Sequence, residues 1–471
     1  MSLSSALSVA LTGLQISTAQ LQITSNNISN AQTAGYTDKT TNITSLSLGN
    51  DAAGAQITGF SRATNSGLTT SYNNATSESS YYSTQNSYLS QIQQILDSTD
   101  NPPALSNAVS QFQSAWTQYA AAPEDGAQQQ AVIQAGENLA SQIATAQAAV
   151  TKLNNQVTSD TLNTVNQLNN DLSQIANLNQ QIAAAGPGTQ SGVNLADQRD
   201  TLVNSVASIT NITIMQRSNG QVALYTPSGS PLVDGSAQVF SYNGQTITSS
   251  SGQDVTNILT GGSLQAEVQF VANGSPATAS TSPGVEVIRK LNSQLQALTT
   301  ALTTTSGSPT SFEAAYDGAT TGTGELANQF FTVNTVGGVI DPSSLKINAS
   351  LLNGTATLKQ ASGTAVNTAL TATRSFSAAG LTTTSGTYVD LVNGILSGFQ
   401  AAANTVSTQS TTATQQQTYY KQSLTNATGV NVDNELVNLT TLQNSYAASA
   451  HVISTINQML QELEAAVTGT A

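Results

Sequence analysis

The chain has 471 residues and no cysteine. Disulfides, thiolate chemistry and cysteine-held zinc are therefore excluded. It has one histidine, His451, so a general base, a catalytic triad or a histidine-held metal would have to use that residue. His451 follows Ala450 on a helical pattern and reads as a surface position. Charge is scarce: Asp, Glu, Lys and Arg make up 8% of the chain, against the usual quarter or so. Lys and Arg number 11 against 25 acidic residues, giving a net charge of −14. Binding to phosphate backbones needs clustered cations, and no Lys/Arg-rich run occurs. Nucleic acid and anionic membrane surfaces are thus not expected partners. No run of about 18 apolar residues is present, so no membrane-spanning helix is expected. The first charged residue is Asp38, so the basic start of a cleaved secretory signal is missing. Export, if it occurs, is expected to leave the N-terminus uncut.

Low charge does not make this chain disordered. Disordered segments pair low hydrophobicity with high charge, whereas here 38% of residues are hydrophobic and Leu, Ile and Val recur periodically. The length suits about three domains. At the N-terminus Leu7, Leu14, Leu21 and Ile28 recur every seven residues, with Leu11 in the companion row and the small polar residues Ser4, Thr18 and Ser25 filling the rest of it. This is an incomplete heptad seam. It is expected to stop at Ser25-Asn26-Asn27-Ile28-Ser29-Asn30, residue types that favour caps and turns, with Gly35 in a left-handed turn. Residues 36–76, rich in Gly, Ser and Thr, read as extended.

Helical patterns follow at about 78–97 and 104–121, the second carrying Leu105, Val109, Phe112, Trp116 and Tyr119, with Trp116 a core residue. No proline lies between Pro123 and Pro187. Across that interval Leu139, Ile143, Ala146, Val150, Leu153 and Val157 step by three and four, and after a phase slip Leu162, Val165, Leu168, Leu172, Ile175, Leu178 and Ile182 continue. A single helix of about 55 residues, some 80 Å long, is predicted. From 211 to 380 short Thr/Val/Ile runs alternate with Asn219-Gly220, Asn243-Gly244, Asn273-Gly274 and Asn353-Gly354, a hairpin signal. A helical piece is expected near 284–303. Helix returns at 385–425. The cleanest seam is last: Leu439, Leu442, Tyr446, Ser449, Ile453, Ile456, Leu460, Leu463 and Val467, preceded by Asp433, Asn434 and Glu435 at the helix start. Neither terminal seam carries enough apolar anchors to offset the entropy of ordering a lone helix. Each is expected to need the other and neighbouring subunits, and to be frayed in the isolated chain.

The fold class expected is mainly α with a β-rich insertion. Residues 1–40 and 430–471 would form a terminal coiled-coil domain, 41–204 and 381–429 a helical rod, and 205–380 an outer β domain of one or two parts.

Chemistry finds little support. The carboxylate pairs Glu124-Asp125 and Glu462/Glu464 read as a helix start and a solvated helix face. Asp197, Arg199 and Asp200 form the densest charge cluster and read as a local ion pair or cap rather than a ligand site. No cofactor, metal or catalytic residue is expected.

The segment Ile-Thr-Ser-Asn-Asn-Ile-Ser-Asn-Ala-Gln-Thr-Ala-Gly-Tyr-Thr at 23–37, with Ser25, Asn26, Asn27, Ile28, Ser29, Asn30, Gly35 and Tyr36, resembles the N-terminal signature of flagellar rod, hook and hook-associated axial proteins. Three further segments are similar to the hook-associated members at the hook–filament junction. They are 194–203, beginning Asn194-Leu195-Ala196-Asp197-Gln198-Arg199-Asp200; Gly262-Ser263-Leu264, similar to an element of their β domain; and Gly429-Val430-Asn431-Val432-Asp433 with Leu442-Gln443-Asn444-Ser445-Tyr446 and Ala450-His451-Val452-Ile453. The resemblance does not extend to 270–380. It implies a structural subunit without enzymatic activity, exported uncleaved by the flagellar type III route. Its terminal helices would form an inner tube with other copies. Its partners would be the hook protein, the next hook-associated protein, and an export chaperone holding the C-terminal segment. The low charge departs from the family pattern and implies few salt bridges between subunits. The alternatives are a hook or distal rod protein, against which the long helix argues, or a flagellum-associated cell-wall hydrolase.

Overall fold

Residues 3–30 include no proline and one glycine, Gly13, and form a continuous helix, α1 (Leu3–Asn30). It runs through the Asn- and Ser-rich segment where a stop is predicted. Asn27 is engaged by groups outside the helix, and Asn30 donates to the Asn26 carbonyl one turn back, so both side chains are satisfied with the helix intact. Gly35, at φ +80°, turns the chain into an antiparallel hairpin of β1 (Lys39–Leu48) and β2 (Asp51–Arg62). The computed structural model describes residues 3–48, 51–96, 104–271, 282–305, 311–318, 329–360 and 362–469.

The extended reading of 36–76 fails after Arg62, because α2 (Ser66–Ile95) starts there, capped by the Asn65 side chain, which accepts the Leu68 N–H. Its first half buries Asn73, Ala75, Thr76 and Ser77 against α5 (Gln190–Ile209) and α11 (Tyr388–Thr428), so no apolar stripe betrays it. Gln417 of α11 donates to Thr76 Oγ1, and Asn204 of α5 donates to Asn73 Oδ1.

The helices α3 (Ala104–Ala121) and α4 (Gly126–Ala185) follow. Asp125 caps α4 by accepting the Ala127 N–H, and Gly186 ends it. With 60 residues α4 is about 90 Å long. Its apolar stripe passes without a slip through Thr161, buried and bonded to the Val157 carbonyl, while Leu162 is 45% exposed. The hydroxyl can be buried there because its own helix satisfies it.

Two cores lie along α4. The first holds Val132 through Val157 with α3, α11 and an aromatic cluster of Phe112, Trp116, Tyr119, Phe312, Tyr316, Phe330 and Phe331. Phe330 lies so close to Gly136 that a Cβ there would sit 2.7 Å from its ring. The buried Glu313 carboxylate accepts the Phe330 and Phe331 N–H groups at 2.7 and 3.3 Å. The second core holds Val165 through Ala176 with α5 and a sheet in the order β3 (Thr213–Gln216), β4 (Val222–Tyr225), β5 (Pro231–Asp234), β6 (Ser236–Ala237). A hairpin of β7 (Phe240–Tyr242) and β8 (Ile247–Ser249) completes it.

The β character predicted across 205–380 is concentrated in 213–249. α5 runs through the boundary expected at 204/205. Gly262-Ser263-Leu264 opens a helix, α6 (Gly262–Val271), because Gly262 takes φ +65° hard against the Ile209 carbonyl, where a Cβ would clash at 2.3 Å. Beyond it come α7 (Val287–Thr303), α8 (Phe312–Asp317), α9 (Ala349–Leu352) and α10 (Ser362–Thr371), with paired strands of only two residues. Asn219-Gly220 and Asn243-Gly244 do turn hairpins, β3–β4 and β7–β8. Asn353-Gly354 instead ends α9, and Asn273-Gly274 lies outside the described residues. Last, α12 (Val432–Thr468) packs against α1.

Candidate assembly interface

The two ends of the chain meet at a corner built around Asn27. Its carboxamide uses its full hydrogen-bonding capacity. Oδ1 accepts from the Tyr36 hydroxyl at 3.0 Å and the Lys39 N–H at 3.3 Å, while Nδ2 donates to Asp38 Oδ1 at 2.7 Å and the Lys39 carbonyl at 2.9 Å. The Asp38 N–H donates to the Thr428 carbonyl, which ties this corner to the end of α11. Asn431 then caps α12 through the Asp433 and Asn434 N–H groups, and Asp433 and Glu435 lie in its first turn.

A buried ion network fixes the corner to α5. Lys39 Nζ donates to Asp197 Oδ2 at 2.6 Å and sits 3.3 Å above the Tyr36 ring centroid. Arg62 bridges Asp197 and Asp200, Arg199 also pairs with Asp200, and Thr37 Oγ1 donates to Asp197 Oδ1. The cluster read as a local pair or cap is therefore mainly long-range: it joins the hairpin to α5. Lys39 and Arg62 were missed because each lies far in sequence from Asp197. Burial lowers the Lys39 pKa, opposed by Asp197. Burial also raises Tyr36 to about 12, helped by Asp197, Asp38 and Glu435, and raises Asp38, helped by Glu435.

In the signature segment, Asn27 is buried, Ile28, Asn26, Asn30 and Tyr36 are half-buried, and Ser25, Ser29 and Gly35 are exposed. Of the N-terminal seam, Leu7, Leu14 and Leu21 are half-buried and Leu11 is 44% exposed. The tightest row is instead Ala10, Ser17 and Thr24, three residues after each leucine rather than four. These small side chains let α12 approach, and Gly13 faces Ser449. On α12, Ile456 is buried, and Leu439, Leu442 and Ile453 are half-buried. Tyr446, Leu460 and Leu463 remain exposed at 42, 39 and 59%, as do Val452 and Met459. The Val467 side chain lies outside the described residues. His451, Glu462 and Glu464 are on the exposed surface of α12. No described helix is long and apolar enough to cross a membrane.

The sequence profile described as "Flagellar hook-associated protein FlgK helical domain" matches residues 89–331, and that described as "Flagellar basal body rod FlgEFG protein C-terminal" matches 421–465. The chain is 32% identical over 241 residues to flagellar hook-associated protein 1 of Salmonella typhimurium, covering 50% of this chain and 43% of that one. It is 30% identical over 242 residues to the Escherichia coli protein of the same description, covering 50% and 44%. The matched segment thus spans less than half the length of these relatives. Among solved structures, the flagellar hook junction protein FlgK from Burkholderia pseudomallei aligns with a TM-score of 0.45 and 22% identity over 56% of this chain and 47% of that one. Since the helical-domain profile spans just over half of its residues, the chain belongs to the flagellar hook-associated protein FlgK family.

Proposed function

We propose that the chain is a structural, non-enzymatic subunit joining the flagellar hook to the filament, and that it assembles through α1 and α12. The observation that carries this reading is the unfinished burial of the terminal pair. Leu11, Tyr446, Val452, Met459, Leu460 and Leu463 stay exposed on helices patterned for burial. Exposed apolar side chains along a heptad seam favour further helices of the same kind. In this proposal copies of the subunit supply them, closing an inner tube. The long helices form the layer around it, and residues 205–380 face outward. The terminal helices become fully ordered only on assembly; slow amide exchange in both, in a verified monomer, would overturn that point.

The hook protein and a second hook-associated protein are the neighbours along the axis. A chaperone holds the apolar face of α12 before uncleaved export to the extracellular flagellum, a helix-in-groove contact. Neither nucleic acid nor membrane insertion belongs to this role. Deleting the gene, then imaging flagella and assaying the medium, tests it. Hooks without filaments, with flagellin lost to the medium, are expected. Absent hooks would move the role to hook or rod, and intact filaments would refute it. A zymogram on purified cell wall is expected to be blank; clearing would favour the hydrolase reading.

A further inference from the structure

Three described Asn-Gly pairs lie in turns, and their side chains are held very differently. Gly220, Gly244 and Gly354 all take left-handed φ, at +82°, +93° and +66°. Asn219 Oδ1 accepts the Gln221 N–H, and its Nδ2 donates to Gln221 Oε1. Asn243 Oδ1 accepts the Gln245 and Thr246 N–H groups, and its Nδ2 donates to Thr246 Oγ1. Asn353 is exposed, and no hydrogen bond of its carboxamide is seen among the described residues. The Gly354 N–H reaches the Leu351 carbonyl only at 3.4 Å, and a Cβ on Gly354 would meet nothing within 4 Å. A further pair, Asn393-Gly394, lies inside α11, where Asn393 accepts from Ser106 Oγ.

We propose that Asn353-Gly354 is a site of spontaneous covalent modification, at which the chain converts Asn353 to a mixture of aspartate and isoaspartate. The deprotonated Gly354 backbone nitrogen attacks Cγ of Asn353. The new C–N bond closes a five-membered succinimide, and Nδ2 leaves as ammonia. Water then opens either carbonyl of the ring. The sum is one water consumed and one ammonia released, with no oxidant or cofactor. Attack requires the carboxamide to swing onto the following nitrogen. Asn219 and Asn243 must first break two or three hydrogen bonds, each worth roughly a factor of five in an equilibrium. Asn353 breaks none. Each event adds a negative charge at the end of α9, and an isoaspartate also inserts an extra backbone carbon there.

The test is incubation of the full chain in mildly alkaline buffer, followed by peptide mapping with isoaspartate-sensitive fragmentation. Trypsin cleavage after Lys346 and Lys359 isolates Asn353 in one short peptide. Asn353 is expected to convert roughly 25-fold faster than Asn219, as two such bonds imply, and faster still than Asn243, which holds three. In strong denaturant the three rates are expected to converge. Equal rates in the folded chain, or a faster Asn219 or Asn243, would overturn the proposal. So would a lead for Asn353 that survives unfolding, because local sequence would then be the cause. Gly354→Ala is expected to slow conversion at this position alone, and an unchanged rate would refute attack by that nitrogen.

Discussion

The helices α4 and α12 carry the same sequence signal and meet opposite fates. Both repeat apolar residues at steps of three and four. On α4, Leu139, Ile143, Val150, Val157, Leu168, Leu172 and Ile175 are all fully buried. On α12 Ile456 is the one buried apolar residue among those described, while Leu460 and Leu463 are exposed. Periodicity states that a face must be covered, but not by what. α4 is covered within its own chain by α3, α5 and the sheet, whereas α12 has one partner helix. Under the proposed function, the α4 set holds the subunit together and the α12 set is kept for other copies.

The sharpest way to break this contrast is to remove one side of it. Cutting away residues 1–62 and 430–471 is expected to abolish assembly completely while leaving a soluble monomer with one cooperative unfolding transition. If this core aggregates or unfolds, α12 belongs to the same core as α4 and the contrast collapses. The next largest effect is expected at the brace between the two regions. Asp197→Ala leaves Lys39 and Arg62 without their shared carboxylate, and breaking a buried pair costs about 3–5 kcal/mol. The loss should show as rapid amide exchange in β1 and β2, with α4 still protected. Unchanged exchange in the hairpin would mean that the brace carries no load.

A matched pair of truncations sharpens the contrast further. Leu139→Ala opens a cavity in the first core and should cost about 2–5 kcal/mol in thermal or denaturant unfolding. Leu463→Ala should change monomer stability by no more than about 0.5 kcal/mol, yet slow polymerisation. Equal costs in the monomer would contradict the assignment. The smallest effect is a pH slope confined to the body. Burial pushes the Glu313 and Glu267 carboxyls up to about 8 each. Their ordinary value is 4.5. Between those values these two groups hold more protons in the folded chain than in the unfolded one, so the stability they contribute is present in acid and is lost as pH rises through about 8. A thermal midpoint that drops by a few degrees from neutral to mildly alkaline pH, and drops less in Glu313→Gln, is expected. A midpoint rising over that range would show the sign to be wrong.

What could be read from the sequence followed the strength of local signals. The span of α4 was legible because proline is absent and leucines recur, and the ends of α3 because Pro102-Pro103 and Pro123 bracket it. The start of α2 was hidden because it buries Asn73, Thr76 and Ser77, which advertise no apolar face. Thr161 hid the true stripe of α4 in the same way, and Ala10, Ser17 and Thr24 hid the tight row of α1. Small side chains, and polar ones bonded to a neighbouring helix or to their own backbone, can be core, and a hydrophobicity pattern does not see them. Asp197 was visible as a charge in a sparsely charged region, but its partners lie 135 and 158 positions away, and only folding brings them together.

The corner at Asn27 has a mechanical consequence. Two chain crossings link the terminal pair to the body, one at residues 63–65 and one at 429–431, and the Lys39/Arg62–Asp197 brace supplies a third, non-covalent support. Arg62 stands one residue before the first crossing, and Asp38 bonds to Thr428 one residue before the second, so both crossings are braced where they leave the pair. In the proposed tube, torque on the terminal helices would then reach the body as shear across the brace, and the subunit would turn as one piece.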